Sequence, residues 1–288
     1  MIPAEFDYYA PTSVGEVISL LQQHGDEAKV LAGGHSLIPM LKLRLSSPPV
    51  LVDIGRIPEL RGITRTNGTV TIGAMTTHAQ VESSKELRDT FPIMAEAASV
   101  IGDPMVRNRG TFGGALAHAD PAADWPAVAL ALGAQMRVIG PGGERIIPVD
   151  DFFVDMLTSA LEPDEVLTRI DIPVSNGKTG MSYQKFQHPA SGYAVVGVAT
   201  VVTLGADGAC QGCRVAVTGA GPRATRQTAV EDALKGQRLT PELIAQASER
   251  AGEGMDFLGD IYASEGYRAH LTKVYTKRAL LAALEAAS

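Results

Sequence analysis

Two short glycine-rich corners constrain the fold of this chain more than any other feature of its sequence. The first spans residues 32–36 (AGGHS), after a predicted strand over 29–32, and the second spans residues 111–115 (TFGGA). Consecutive glycines at the end of an element let several backbone N–H groups point the same way with no side chain in front of them, which makes an anion-binding nest. Two nests from distant parts of one chain predict a fold that closes around the adjoining phosphates of a dinucleotide.

Three side chains extend this prediction, and each has a plainer alternative. Asp124 precedes a predicted helix over 125–132, where it can cap the helix or accept hydrogen bonds from ribose or ribityl hydroxyls. Tyr193 begins an apolar strand, so its ring can pack on the core or stack on a flat cofactor. His35 can be an ordinary loop residue or a point of covalent flavin attachment. An isolated Gly-Gly pair is more often a plain turn, and it is the combination of two corners that favours a nucleotide.

The composition argues against several classes of function. A formal net charge of -7 over 288 residues disfavours broad binding to nucleic acid or to an anionic membrane surface. No apolar run approaches the roughly 20 residues that span a bilayer. The first ten residues also lack the basic and apolar pattern of a signal peptide. We therefore expect a cytoplasmic protein with no membrane span.

A further glycine motif and a cysteine pair are expected to be structural. Residues 219–224 (GAGPRA) match G-x-G-x-x-A after a strand, but helices follow where a dinucleotide-binding unit needs a second parallel strand. Pro222 also lacks the N–H that would donate to a phosphate. Cys210 and Cys213 form a single C-x-x-C, whereas an iron–sulfur or zinc site usually needs four ligands. The chain is therefore predicted to hold no metal, and two cysteines are too few for a disulfide framework.

The order of predicted elements changes near residue 177. The polar, turn-rich segment 175–180 is the best candidate for a domain boundary. After it come three β-type runs and then helices only, an order that predicts an α+β layer. We expect an α+β protein with domains over 1–177 and 178–288, the second built from a three-stranded sheet with helices.

The corners and the segments around them resemble the FAD-binding medium subunits of the molybdenum hydroxylases, a family that includes aerobic carbon monoxide dehydrogenase and enzymes that oxidise quinoline, nicotine and xanthine. The resemblance covers essentially the whole chain, and its specific segments are residues 32–39, 53–54, 72–76, 109–114, 120–121, 124–127 and 185–186. It implies a two-part FAD-binding domain of the vanillyl-alcohol-oxidase (PCMH) type, with parts over about 1–55 and 56–177. A smaller C-terminal domain of the carbon monoxide dehydrogenase flavoprotein type follows.

The resemblance also implies which residues contact FAD. The two corners are expected to bind the diphosphate, Asp124 the ribityl or ribose region, and Tyr193 the isoalloxazine. Ala115 departs from the family, in which many members have asparagine. No residue is expected to act as a general base or nucleophile. The full set of expected FAD contacts is Ala32, Gly33, Gly34, His35, Ser36, Leu37, Ile101, Thr111, Phe112, Gly113, Gly114, Ala115, Asp124, Leu167, Lys185 and Tyr193.

The implied role is electron transfer within a larger enzyme. In the family, a large partner subunit oxidises the substrate at a molybdenum–pterin (molybdopterin) centre. Two [2Fe-2S] clusters in a small partner deliver the electrons to non-covalently bound FAD, which passes them to an external acceptor such as a quinone. The assembly is expected to be a dimer of heterotrimers that oxidises carbon monoxide, with an N-heterocycle or an aldehyde as alternative substrates. A stand-alone flavin oxidase or reductase, and a non-enzymatic nucleotide-binding scaffold, are competing hypotheses.

Overall fold

The computed structural model describes residues 2–175 and 177–287. Asn176, within the turn-rich segment predicted as a boundary, lies outside the described residues, as do Met1 and Ser288. Three main sheets follow one another along the chain, and they occupy residues 7–53, 63–173 and 178–226. The predicted divisions near 55 and 177 fall between these sheets and remain predictions.

The first sheet is small and entirely parallel, with its strands in the order β1, β3, β2. Ser13 caps the first helix by accepting a hydrogen bond from the Glu16 N–H, as the sequence predicts. The first glycine corner follows the second strand directly and leads into the second helix. The elements are β1 (Asp7–Tyr9), α1 (Val14–His24), β2 (Ala28–Leu31), α2 (Leu37–Leu43) and β3 (Val50–Asp53).

The second sheet is antiparallel, with its strands in the order β4, β5, β10, β6, β7. Six helices, α3 to α8, lie between β5 and β6 along the chain. Helix α7 begins within the second glycine corner. The elements are β4 (Ile63–Thr66), β5 (Thr69–Gly73), α3 (His78–Ser83), α4 (Lys85–Thr90), α5 (Pro92–Ser99), α6 (Pro104–Arg109), α7 (Phe112–His118), α8 (Asp124–Leu132), β6 (Gln135–Gly140), β7 (Gly143–Pro148), β8 (Phe153–Asp155), β9 (Thr158–Ser159) and β10 (Val166–Pro173), of which β8 and β9 form a small separate hairpin.

The third sheet is antiparallel and carries the remaining helices. Its three long strands match the three predicted β-type runs, and a two-residue fourth strand adds to them before the first of the predicted helices begins at Thr228. The long last helix packs across β11 and β12. The elements are β11 (Lys178–Gln187), β12 (Ala194–Leu204), β13 (Cys210–Thr218), β14 (Thr225–Arg226), α9 (Thr228–Leu234), α10 (Pro241–Ser248) and α11 (Glu265–Ala287).

Helix α8 joins the third sheet to the helices that follow β5. All of its residues are buried, because its sequence is apolar on nearly every side and it packs against α5, α7, β12 and β13. Its first residue, Asp124, is therefore carried into the interior next to the third sheet. The arrangement confirms an α+β protein in which helices and sheets meet around α8. None of the helices within residues 2–175 and 177–287 combines the length and the hydropathy needed to cross a membrane.

Candidate cofactor site

A cleft of about 790 Å³ runs between the two glycine corners and the turn that joins β11 to β12. Its volume is in the range of small-molecule sites in proteins. The cleft brings together all but two of the residues predicted to contact FAD. Those that line it are Ala32, Gly33, Gly34, His35, Ser36, Leu37, Ile101, Thr111, Gly113, Gly114, Ala115, Asp124, Leu167 and Tyr193.

The first corner presents free backbone donors to the cleft. The N–H groups of Gly34, His35 and Ser36 donate to no acceptor among the described residues, and the three residues line the cleft. Gly34 has a φ of +77°, a conformation that favours glycine and that turns successive N–H groups toward one side. This corner fits an anionic diphosphate, as the sequence predicts of a nest.

The second corner differs from the open nest that its sequence suggested. The N–H of Phe112 donates to the carbonyl of Thr76 at 2.8 Å, and that of Gly113 to the carbonyl of Ala74 at 2.9 Å. The N–H of Gly114 donates to the Thr111 Oγ1, which caps α7. N–H groups in the first turn of a helix have no partner within the helix. Here two carbonyls of the loop after β5, those of Ala74 and Thr76, accept from two of them. The Thr111–Gly114 turn thus contributes shape and a hydroxyl to the cleft more than free N–H groups.

The two corners touch each other, and glycine is what permits it. A Cβ on Gly33 would lie 2.2 Å from the carbonyl oxygen of Arg109 and 2.9 Å from the Cα of Gly110. A Cβ on Gly114 would lie 2.5 Å from the Thr111 Oγ1 of its own turn and 3.3 Å from the Cβ of Ala32 in the first corner. A larger residue at Gly33 must therefore push the first corner away from Arg109 and Gly110, and one at Gly114 must displace the Thr111 hydroxyl that caps α7.

Asp124 lies in a buried network that joins α8 to β11. Its Oδ1 accepts from the Tyr183 hydroxyl at 2.5 Å, and its carboxylate pairs with the Lys185 ammonium at 2.9 Å. Lys185 also donates to the carbonyl of Val100 at 3.0 Å. Burial raises the pKa of Asp124, and the Lys185 charge opposes that rise. Burial, together with the Asp124 charge, raises the pKa of Tyr183 well above its ordinary value.

This network rules out one of the two hypotheses for Asp124 and leaves its contact with ribityl or ribose hydroxyls a prediction. The N-cap of α8 is Ala123, and the Asp124 side chain makes its bonds across the domains, so the helix-cap hypothesis is wrong. Lys185 does not line the cleft; its side chain is 4% exposed and lies against Asp124. Sequence reasoning missed Tyr183. It stands two residues before Lys185 on one strand, so both side chains share a face, and that spacing was the available signal.

Phe112 is the other predicted contact that lies outside the cleft lining. Its ring is fully buried and meets the Trp125 ring edge-on, with 4.9 Å between centroids. The Trp125 indole N–H in turn donates to the Nδ1 of His78 at 3.0 Å. His78 and Trp125 both line the cleft. Neither was predicted, because no spacing in the sequence relates a histidine after β5 to a tryptophan on α8.

Tyr193 lines the cleft from the turn between β11 and β12. It is 43% exposed and follows Gly192, whose φ is +72°. Burial raises the pKa of its hydroxyl, the charges of Asp120 and Asp124 add to the rise, and the Ser36 side chain opposes it. The tyrosine is thus a partly exposed ring that reaches the first corner, and it stays a candidate for contact with a flat cofactor.

The G-x-G-x-x-A motif proves to be a packing turn. The N–H of Gly219 donates to the carbonyl of Pro121 at 2.7 Å, and the Thr218 hydroxyl donates to the carbonyls of Pro121 and Ala123. A Cβ on Gly219 would lie 2.5 Å from the carbonyl oxygen of Ala194. The strand after the motif, β14, pairs antiparallel with β13. The turn therefore fixes the loop before Asp124 against the third sheet.

The two cysteines share one face of their strand because of a bulge. Cys210 pairs with Leu204 and Cys213 pairs with Val202, with a register shift between these two pairs. Because Val202 and Leu204 are two residues apart on β12 and share a face, the two cysteines also share a face. Both are free thiols. Within the described part of the chain, no group of three or more His, Cys, Asp or Glu side chains could hold a metal ion.

The comparisons with known proteins agree with this geometry. Residues 4–175 match the family described as the FAD binding domain in molybdopterin dehydrogenase, and residues 181–283 match the carbon monoxide dehydrogenase flavoprotein C-terminal domain. The chain belongs to the family of FAD-binding subunits of molybdenum hydroxylases.

Individual relatives cover the whole length of the chain. It is 41% identical to the carbon monoxide dehydrogenase medium chain of Hydrogenophaga pseudoflava, over 98% of each chain. It is 39% identical to 6-hydroxypseudooxynicotine dehydrogenase complex subunit alpha of Paenarthrobacter nicotinovorans, over 100% of this chain and 97% of that one. A solved structure of carbon monoxide dehydrogenase from H. pseudoflava, which lacks the Mo-pyranopterin moiety of its molybdenum cofactor, superposes with a TM-score of 0.97 at 42% identity and covers 100% of both chains.

Proposed function

We propose that this chain carries FAD non-covalently in the cleft and works as the electron-transfer subunit of a molybdenum hydroxylase. Electrons reach the FAD from [2Fe-2S] clusters of a small partner and leave to an external acceptor, while a large molybdenum–pterin partner oxidises the substrate. The assembly is a dimer of heterotrimers. The observation that carries the proposal is the first corner, whose free N–H groups face a cleft that Tyr193 closes from the other domain.

The residues of the chain bind and orient the cofactor. The N–H groups of the first corner would hold the diphosphate, and Asp124, which already bonds to Tyr183 and Lys185, would accept from a ribityl or ribose hydroxyl. Ile101 and Leu167 supply apolar contacts in the cleft. When bound, the flavin supplies the redox chemistry, so the protein contributes position and electrostatics and needs no general base of its own.

Carbon monoxide is the substrate that we propose for the holoenzyme. The support is the 41% identity to a carbon monoxide dehydrogenase medium chain, with a similar structural match. The 39% identity to a 6-hydroxypseudooxynicotine dehydrogenase subunit and the 36% identity to a nicotine 6-hydroxylase medium subunit make an N-heterocycle the second candidate. We also propose a cytoplasmic location, which the free thiols of Cys210 and Cys213 favour because a reducing compartment keeps cysteines unpaired.

Reconstitution of the purified chain with FAD tests the proposal. We expect one flavin per chain after gel filtration, and we expect acid precipitation to leave the yellow colour in the supernatant. Colour in the pellet would indicate flavin linked to His35, and turnover of a substrate by the chain alone would indicate an independent oxidase or reductase. A chain that stays colourless in excess FAD would support a scaffold and contradict the proposal.

The partners and the substrate need a second experiment. The chain is co-expressed with a large molybdenum–pterin subunit and a small [2Fe-2S] subunit of the family, and the purified complex is assayed for reduction of a dye by carbon monoxide and by N-heterocycles. We expect a stable complex that reduces the dye with carbon monoxide. Dye reduction with an N-heterocycle and not with carbon monoxide would show that the holoenzyme oxidises the second candidate substrate.

A further inference from the structure

His78 is a cleft residue whose ring protonation is set by its neighbour. The indole N–H of Trp125 is only a donor, so the His78 nitrogen that faces it at 3.0 Å, Nδ1, must be an acceptor. Burial, with smaller effects of the charges of His35 and Arg107, lowers the pKa of His78 to about 4. The ring is therefore neutral at physiological pH, and its single proton is on Nε2.

The Nε2–H of His78 has no protein acceptor in the described part of the chain. The bond to Trp125 is the one hydrogen bond that the ring makes there. The residue is 5% exposed. Nε2 has no partner among the described residues and is not one of the fully buried polar atoms, so part of the exposed surface of the residue belongs to this nitrogen. His78 also lines the cleft. A neutral donor with nothing in the protein to receive its proton thus faces the cofactor cleft.

The position of this nitrogen is next to the contact between the two corners. A Cβ on Gly110 would lie 2.7 Å from the His78 Nε2, and the His78 backbone N–H donates to the Gly110 carbonyl at 3.0 Å. Gly110 is itself the residue whose Cα lies 2.9 Å from a Cβ on Gly33. The ring is therefore within the wall formed by the first corner and the turn that precedes the second.

We propose that the His78 Nε2–H donates a hydrogen bond to the diphosphate of the bound dinucleotide, with Trp125 holding the ring in the required tautomer. The inference rests on the proposed function and adds to it a side-chain donor. In the second corner, the N–H groups of Phe112 and Gly113 already donate to the carbonyls of Thr76 and Ala74. His78, at the start of α3, adds a hydrogen-bond donor that this corner lacks.

Flavin binding by the full chain tests the proposal with two probes. His78→Leu removes the donor, His78→Gln keeps both an acceptor and a donor, and His270→Leu changes an exposed histidine on α11. We expect His78→Leu to weaken FAD binding by about 10- to 100-fold, the effect of a lost hydrogen bond to a charged group. Binding of riboflavin, which has no diphosphate, stays unchanged. His78→Gln recovers most of the FAD affinity, and His270→Leu binds both probes as the wild type does.

Nitrogen-15 NMR of histidine-labelled protein gives a readout that does not depend on a variant. We expect a protonated Nε2 and an unprotonated Nδ1 for His78, and a downfield shift of the Nε2 proton when FAD is added but not when riboflavin is added. A proton on Nδ1, or an Nε2 resonance that FAD leaves unchanged, would overturn the proposal.

The outcomes separate this inference from the function on which it rests. Equal losses of FAD and riboflavin binding in His78→Leu would show a role in folding alone, and unchanged FAD binding in that variant would show no role; either result overturns the donor while the FAD function stands. A wild-type chain that takes up neither probe overturns both.

Discussion

Glycines in the two corners are needed for two different physical reasons. Gly34 adopts a φ of +77°, which other residues rarely adopt. Gly33 and Gly114 have ordinary φ values, and what excludes a side chain there is contact with Arg109 and Thr111. The sequence marks all three as glycine, but the second reason depends on which atoms lie opposite and appears only in the fold.

Alanine at Gly33 or at Gly114 should reduce FAD binding. A Cβ on Gly33 would lie 2.2 Å from the carbonyl oxygen of Arg109, and one on Gly114 would lie 2.5 Å from the Thr111 Oγ1, so the wall of the cleft must change shape. We expect at least a tenfold rise in the dissociation constant for FAD, measured by quenching of flavin fluorescence. Gly142→Ala is the control, because a Cβ there meets nothing within 4 Å. Wild-type affinity in both corner variants would contradict the assignment of this cleft.

His78 should make stability depend on pH. Its pKa is about 4 in the folded chain and near 6.5 when unfolded, so the unfolded chain binds more protons below pH 6.5. The stabilisation is complete above that pH and is lost as pH falls toward 4. Between pH 7 and pH 5 the loss from this residue is about 2 kcal/mol. Urea unfolding at both pH values should give a smaller change for His78→Gln than for the wild type, and equal changes would be inconsistent with a neutral buried ring.

At the scale of elements, α8 and β11 are joined by a polar contact inside an apolar interface. The Asp124 carboxylate accepts from Tyr183 and Lys185, and both of these side chains come from one face of β11. The hydrophobic pattern predicted α8 and β11 separately as a helix and a strand. It did not predict that they meet, because periodicity describes which face is buried and not which element covers it.

Lys185→Met should destabilise the chain strongly. It leaves the Asp124 carboxylate buried without its cation, a change that typically costs about 3–5 kcal/mol. The free energy of unfolding by urea measures it, with Lys178→Met at the exposed start of the same strand as the control. Adding Asp124→Asn to the Lys185→Met variant should restore part of the loss, since no unpaired charge remains. A double variant that is less stable than Lys185→Met alone would argue against this pairing.

For the whole molecule, the cleft depends on segments from distant parts of the chain. The first corner, the second corner and the Ser191–Tyr193 turn all line it, and α8 with the Gly219 turn holds the third sheet in place beside them. A ligand that fills the cleft therefore links both matched family regions, and its binding free energy stabilises them together.

FAD should slow hydrogen exchange in these separated segments at once. We expect protection of residues 33–37, 111–115 and 191–193 when FAD is added, measured by mass spectrometry of peptic fragments. The β6–β7 hairpin turn, which lies outside the cleft lining, serves as the internal reference. Protection confined to the first two segments would mean that Tyr193 does not contact the cofactor.

The sequence by itself determined the α+β class, the order of most elements and the two corners, because these follow from short-range glycine chemistry and from the period of apolar residues. Its motifs also indicated the family whose models match residues 4–175 and 181–283. Only the tertiary structure decided that Asp124 bonds across the domains, that Phe112 and Lys185 lie outside the cleft lining, and that His78 faces it. Those facts depend on which distant residues become neighbours, and no local pattern in the chain encodes that pairing.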